Sequence, residues 1–195
     1  MKYAFKCSLV LVMVLTGYWT NAQRLKLTEG NIDALKGESS INTEFIYENM
    51  KVGKFDKEED YINNKKADYN KKEAGKGDTW AKNWESDRDS RFEPKFNELL
   101  EKSSGKSVKK DAKYTLVFKT LFTEPGFNIG IMRKNAEINA EAWIVETANQ
   151  SNVIGKISVQ KALGRTFGGY DFDTGERISE AYADAGKALG NFLKK

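Results

Sequence analysis

The chain has no histidine, and its 195 residues include a single cysteine. Zinc, copper and haem sites depend on imidazole or thiolate ligands, so the composition argues against such sites. Histidine is also the commonest general base, and cysteine or serine nucleophiles are usually paired with it. What remains open is a cation with oxygen ligands, such as calcium. No residue set forces a particular chemistry, and we expect no catalytic residue, no cofactor and no enzyme activity.

The sequence also lacks a large excess of positive or negative charge. Lysine and arginine number 32 against 28 acidic residues, a net charge of +4. A balance of this kind attracts neither nucleic acid nor anionic lipid strongly. We therefore expect no nucleic-acid partner.

The sequence lacks a hydrophobic run of membrane-spanning length. Its longest apolar run, 9–15, is well short of the roughly 20 residues that a transmembrane helix needs. Lys2 and Lys6 precede this run and Ala22 ends the segment, which is the order of a cleavable secretory signal over residues 1–22. Cys7 begins the apolar run, without the residues that precede a lipid-modified cysteine. We predict a periplasmic or secreted protein that starts near Gln23, with no membrane insertion after cleavage.

The remaining residues, 23–195, have the size of one ordinary domain, and they need a hydrophobic core because disulfides are absent. Strand-forming residues fill 41–52, and the charged stretch 54–102, with interspersed aromatics, predicts helices. A sheet region over 113–161 and a C-terminal helix over 174–193 follow. The fold class predicted is α/β (α+β).

Three acidic residues have the spacing of helix N-caps: Asp56, Asp78 and Asp173. The glycines of 75–77 predict a break between two helices, and Pro94 should kink or divide the second one.

In the strand at 114–122, apolar residues occupy both the even- and the odd-numbered positions, Leu121 included. This pattern predicts a central strand covered on both faces. Residues 136–145 alternate cleanly and should pair with 153–160 as a hairpin. Two helices between the 41–52 and 114–122 strands suit a right-handed parallel crossover. We predict a mixed sheet of about four to five strands, with helices packed mainly on one face.

The glycine-rich segment 164–176 is the most suggestive for ligand binding, because Tyr170, Asp171 and Asp173 precede a predicted helix. Asp171, Asp173 and Glu176 could ligate calcium, although the spacing departs from the EF-hand pattern. The two aspartates could also serve as the carboxylate pair of a glycoside hydrolase. The alternative is a structural turn with a helix cap, which we prefer.

Two apolar features have a structural and a functional interpretation. Trp80 and Trp84, four residues apart, begin a helical stripe that is either core or a recognition platform. We expect this stripe to belong to the hydrophobic core. Phe127, with Ile129 and Ile131, follows a Pro-Gly turn and is either an ordinary paired strand or a sheet edge open to a partner.

Gly186 and Gly190 lie four residues apart in the last helix, and we expect them to let that helix lie close to the sheet.

Two segments, 61–96 and 168–177, resemble exported proteins of unknown function from Bacteroidota, notably in Arg91-Phe-Glu-Pro-Lys-Phe96 and in Gly168-Gly-Tyr-Asp-Phe-Asp-Thr-Gly-Glu-Arg177. More remotely, the sheet with its alanine- and glycine-rich terminal helix is similar to the α/β envelope domains of curli-assembly, penicillin-binding-protein activator and TolB amino-terminal type. The resemblance implies an assembly or interaction module.

The sequence therefore favours an exported, non-enzymatic protein that binds another envelope protein or a cell-envelope component. The competing interpretation is a calcium-dependent carbohydrate binder or hydrolase that uses the 164–176 loop.

Overall fold

The computed structural model describes residues 24–129, 131–165 and 172–194. The predicted signal, Cys7, Gln23, Tyr170 and Asp171 lie outside these ranges. The strands are β1 (Arg24–Gly30), β2 (Ser40–Ile46), β3 (Lys51–Val52), β4 (Ser107–Val108), β5 (Tyr114–Glu124), β6 (Phe127–Ile129), β7 (Met132–Lys134), β8 (Ala136–Glu146) and β9 (Asn149–Gly164). The α-helices are α1 (Glu58–Lys72), α2 (Lys76–Asp87), α3 (Glu93–Ser104) and α4 (Gly175–Leu193), with a 3₁₀ turn at Asp33–Leu35 and a π-helix at Arg88–Phe92.

The main sheet of the described chain has seven strands in the order β1-β9-β8-β5-β2-β4, with β3 also paired to β5. Strand β2 is parallel to β5, whereas β5, β8, β9 and β1 pair antiparallel. The mixed α/β sheet and the parallel β2–β5 pair, with helices between them, are confirmed. The predicted count of four to five strands is wrong, because β3 and β4 have only two residues each and are too short for a sequence pattern.

The strand predicted over 41–52 is in fact two strands separated by a turn. Strand β2 ends at Ile46, and the N–H of Met50 donates to the carbonyl of Tyr47 at 3.4 Å. Asn49 sits in this turn with φ of 61°, a conformation that asparagine tolerates better than most residues. The chain then resumes alongside β5 as β3.

The helices cover one face of the sheet. On β8, every second residue from Ala136 to Ile144 is buried, and the residues between them are half-buried. Strand β5 buries Leu116 and Phe118 completely. On its other face Val117 is buried, but Leu121 is 37% exposed, and Lys119 lies over the ring of Trp143 at 5.7 Å. The prediction of a central strand covered on both faces therefore holds for residues 114–118 and is wrong for the second face from Lys119 onward.

Trp80 and Trp84 belong to the core, as predicted, and are 2% and 5% exposed. Their rings stack on each other, with centroids 5.6 Å apart, and both contact Tyr61 of α1. Trp80 also meets Tyr69 of the same helix. Much of this aromatic packing joins α1 to α2. Aromatic pairs at such distances add about 0.5–1.5 kcal/mol each beyond area burial.

The two glycines of α4 face a helix rather than the sheet, contrary to the prediction. A Cβ added at Gly186 would overlap the carbonyl oxygen of Phe96, and one added at Gly190 would press against the backbone of Leu100. Both neighbours lie in α3. The glycines therefore allow α3 and α4 to approach at the level of their backbones.

The three predicted acidic caps do not cap their helices. Helix α1 begins after Lys57, α2 after Gly75 and α4 after Thr174, and none of these has a side-chain cap hydrogen bond. The three aspartates pair with basic residues instead: Asp56 with Lys51, Asp78 with Lys66 and Asp173 with Arg91.

The predicted break between two helices is confirmed, although it lies at 73–75 rather than 75–77, and the division of the second helix near Pro94 is confirmed. Helix α1 ends at Lys72 and α2 begins at Lys76. Pro94 lies in the first turn of α3, directly after the π-helix. The missing N–H of proline is harmless at that position.

The α3–α4 contact leads to a stability prediction. Gly186→Ala should lower the free energy of unfolding by about 3 kcal/mol, because the added methyl meets rigid backbone. The matched control is Gly37→Ala, whose added Cβ meets nothing within 4 Å and should change stability by about 0.5 kcal/mol or less. Urea denaturation of both variants measures the difference, and equal small losses would contradict the close approach.

Candidate functional site

The glycine-rich loop can be assessed at its C-terminal end, since Tyr170 and Asp171 lie outside the described residues. Asp173 accepts a hydrogen bond from Nη1 of Arg91 at 2.6 Å, and the Nε of Arg91 lies 3.1 Å from Oδ1 of Asp87. Burial raises the pKa of Asp87, and the charge of Arg91 opposes that rise. A Cβ added at Gly175 would overlap the Asp87 carboxylate. These contacts hold Asp173 and Gly175 against the π-helix and the end of α2 and favour a structural role for this end of the loop, while ligand binding by Tyr170, Asp171 and Asp173 stays a prediction.

Phe127 lies in a small hairpin that leaves the main sheet between β5 and β8. Its strand β6 pairs antiparallel with β7, and Phe127 is half-buried opposite Lys134. The segment is therefore a paired strand in its own two-stranded unit. It is not an open edge of the main sheet.

The base of this hairpin is anchored by several polar contacts. The carboxylate of Glu124 accepts from Lys134 Nζ at 2.6 Å and from the N–H of Gly126 at 3.1 Å. Gly126 has φ of 67°, and an added Cβ would overlap the carbonyl oxygen of Lys134. From α4, Nε of the buried Arg177 reaches the carbonyl of Pro125 at 3.4 Å.

The far end of the hairpin is apolar and exposed. Ile129, Ile131 and Met132, which we call the hairpin tip, are 55%, 104% and 60% exposed. Among the described residues, only Leu121 and Val153 are further large apolar side chains with comparable exposure. Single exposed apolar residues need no explanation, whereas several on one protrusion make the hairpin tip a candidate contact surface.

A second feature, the edge cleft, lies where β2 ends and α1 begins. Its volume is about 720 Å³. The lining residues are Phe45, Ile46, Tyr47, Glu48, Asn49, Met50, Asp56, Lys57, Glu58, Glu59 and Arg88. Clefts at the carboxyl ends of parallel strands are frequent ligand positions in open α/β sheets.

One wall of the edge cleft is held by a shared carboxylate. Oε1 of Glu58 accepts from Nε1 of Trp84 at 2.6 Å and from Nη2 of Arg88 at 2.5 Å. Both members of the Glu58–Arg88 ion pair are largely shielded from solvent, with side-chain exposures of 17% and 23%. A shielded pair of this kind resists rearrangement, because separating the two partners would leave each charge uncompensated and away from water.

Tyr47 lies beneath that guanidinium, whose carbon is 4.4 Å from the centre of the tyrosine ring. The Tyr47 hydroxyl donates to Oε1 of Glu93 at 3.3 Å. Burial, with the nearby Tyr182 and Glu93, raises the pKa of Tyr47 far above its usual value, so the hydroxyl keeps its proton and acts as a donor. Burial also raises the pKa of Glu93.

Arg88 begins the π-helix, a form that is rare and frequently found at functional sites. The polar groups deep in the cleft are committed to each other, whereas Glu48 and Glu59 on its rim are exposed and form no ion pair among the described residues. In the described part of the chain, no group of three or more carboxylate or cysteine side chains is placed to hold a metal ion.

Sequence reasoning missed the cleft residues Tyr47, Glu58 and Arg88. They come together only because β2 stops at Ile46 and the chain turns. The asparagine at 49, inside an otherwise strand-like run, was the available signal for that turn.

Comparison with known proteins adds little. No protein-family model matches the chain, and no curated protein sequence matches it. Two crystal forms of the PelC dodecamer from Paraburkholderia phytofirmans, one of them a single-residue variant, each superpose with a TM-score of 0.42 at 8% identity. The alignments cover 89% and 88% of this chain and 98% and 99% of those chains. A likeness this remote carries no argument, and the sequence resemblances stay predictions.

The structural interpretation of the loop predicts no response to calcium. A ligand at 100 times its dissociation constant stabilises by about 2.7 kcal/mol, which is roughly 5–10 °C for a domain of this size. We expect the melting temperature to differ by less than about 1 °C between calcium and chelator, a gain of only a few tenths of a kcal/mol. A larger shift that Asp173→Asn abolishes would support the calcium site instead.

Proposed function

We propose that the chain is an exported, non-enzymatic protein of the cell envelope that binds another protein through the hairpin tip. It acts in the periplasm or outside the cell, as the predicted signal over 1–22 implies. Its partner is another envelope protein or a component attached to the envelope. Nucleic acid is not a partner, because the charges nearly balance.

The exposure of the tip is the observation that carries this proposal. Ile131 is fully exposed, and its two apolar neighbours on the tip are more than half exposed. Covering such side chains by a partner removes apolar surface from water, which is the main favourable term in protein association. The side chains are available for contact without any rearrangement of the core.

The anchored base supports the same function. At the base of the hairpin, Glu124 accepts hydrogen bonds from Gly126 and Lys134, and Arg177 contacts the carbonyl of Pro125. A binding element that is already held in its conformation loses less entropy on association. The hairpin is therefore suited to present its tip to a partner.

The edge cleft supports a binding function rather than catalysis. Its half-buried polar groups, Glu58, Arg88 and Tyr47, are paired with protein groups, and the sequence supplies no histidine to act as a general base. No helix in the described residues combines the length and the apolar character needed to span a bilayer. The absence of membrane insertion after signal cleavage is part of the proposal.

Site-specific photocrosslinking tests the proposed function. A photoreactive amino acid placed at Ile131, in the protein produced in its native host, should form a covalent adduct with another polypeptide. The same amino acid at Val153, which is 41% exposed on β9, is the matched control and should give much less adduct. Equal yields at the two positions, or no adduct at either, would contradict binding through the tip.

A further inference from the structure

We propose that an extended segment of a partner polypeptide adds to the main sheet as a further strand, alongside β2 at Thr43 and Phe45. We call the backbone of these two residues the open β2 edge. Strand addition is a recurring mode of peptide recognition, in which main-chain hydrogen bonds supply the affinity. The inference goes beyond the proposed function, because it concerns a different surface from the hairpin tip.

The peptide groups of β2 point alternately to its two sides. On one side, the carbonyls of Ser39 and Ile41 accept from the N–H groups of Ser107 and Lys109, at 2.9 and 3.0 Å. Odd-numbered residues of β2 therefore direct their peptide groups toward β4. Because peptide groups alternate along a strand, the even-numbered residues face β5 on the other side.

Strand β4 occupies only the beginning of its side. It pairs with β2 at Ser40 and Ile41 and then leaves the sheet. Beyond Ile41, β5 is the sole strand paired with β2 in the described chain. Thr43 and Phe45 come next on the vacated side, where no main-chain group of the described residues bonds to them. Their N–H and C=O groups form an open edge, which is a template for pairing with another chain.

The open β2 edge is already held in strand conformation. The Phe45 ring packs against Phe96 and Phe118, with centroids 5.2 and 6.1 Å apart. The Thr43 hydroxyl donates to Oδ1 of Asn97 at 3.0 Å. These side chains are fixed on the helical layer while the peptide groups stay available. A preformed edge loses little entropy when a segment binds.

Space for the added segment lies along the same line. Strand β4 runs parallel to β2, so a segment that continues its path runs from Ile41 toward the turn after Ile46. Phe45 lines the edge cleft, whose volume of about 720 Å³ extends past that turn. The segment therefore pairs with β2 and then enters the cleft.

The charges of the cleft favour a basic residue in the part of the segment that enters it. Among the described residues that line the cleft, Glu48 and Glu59 are exposed and form no ion pair, and Lys57 is the only lysine. The other two acids of the lining are already paired with bases. A lysine or arginine of the partner offsets this acidic excess, which adds specificity more than affinity.

Binding of a defined peptide tests the inference. The probe is a fluorescent, acetylated and amidated peptide, Thr-Val-Thr-Val-Thr-Lys, and its anisotropy with the exported protein should give a Kd at or below about 1 mM. The same peptide N-methylated at every residue has no N–H to donate and should bind at least about tenfold more weakly. A version that ends in Glu should bind several-fold more weakly. No binding of the first peptide at about 1 mM, or equal binding of either altered peptide, would overturn the inference.

Amide hydrogen exchange locates the contact. In the free protein, the N–H groups of Thr43 and Phe45 should exchange rapidly, whereas that of Glu44, which faces β5, should exchange slowly. Adding the first peptide should slow exchange at Thr43 and Phe45. Slow exchange at both residues before the peptide is added, or no change afterwards, would overturn the inference.

A pair of variants separates backbone pairing from side-chain effects. Thr43→Pro removes the outward N–H, a change that edge strands tolerate, and should abolish most of the peptide binding. Thr43→Val loses the same hydrogen bond to Asn97 but keeps the N–H, and should bind like the wild type. Equal affinities of the two variants would contradict strand addition. If melting curves show that Thr43→Pro does not fold, the N-methylated peptide decides the same point. Crosslinking from position 131 does not involve this edge, so the inference and the proposed function fail independently.

Discussion

The structure depends on places where two backbones approach each other so closely that only glycine fits. A Cβ on Gly186 would overlap the backbone of α3, one on Gly77 the backbone of α1, and one on Gly164 the backbone of α4. The first two contacts join helix to helix, and the third joins β9 to α4. Together they bring α2 against α1, α4 against α3, and α4 against the sheet. Because interiors are packed at crystal-like density, there is little slack to absorb even one extra methyl group.

That tight packing fixes the end of the sheet where the edge cleft and the hairpin lie. Packing of α3 on α4 sets the position of the π-helix before α3, and hence of Arg88. The stacked aromatics of α1 and α2 place Glu58 and Trp84 within reach of that arginine. At the same end, Arg177 of α4 supports the base of the hairpin. One compact framework therefore positions a recess and a protrusion side by side.

Patterns that repeat over many residues predicted their elements well, as in the alternation of β8 and the stripe that begins at Trp80. Contacts decided by three-dimensional neighbours were not predictable. The acidic residues Asp56 and Asp173 lie near helix starts, but each pairs with a base that comes close only in the fold. The edge cleft was missed for the same reason. The hairpin segment was noticed from its alternation, but exposure of its tip is a property of the folded chain alone.

Thiol accessibility at the hairpin tip tests the central claim, that a partner polypeptide covers the tip. Removal of the predicted signal leaves a chain without cysteine, so introduced thiols report without background. The rate at which a thiol reagent alkylates Ile131→Cys is compared between the native host and the purified protein, and Val153→Cys is the control. We predict that position 131 reacts much more slowly in the host than in the purified protein, whereas position 153 reacts at similar rates in both. Equal protection of the two positions, or no protection at position 131, would contradict this claim.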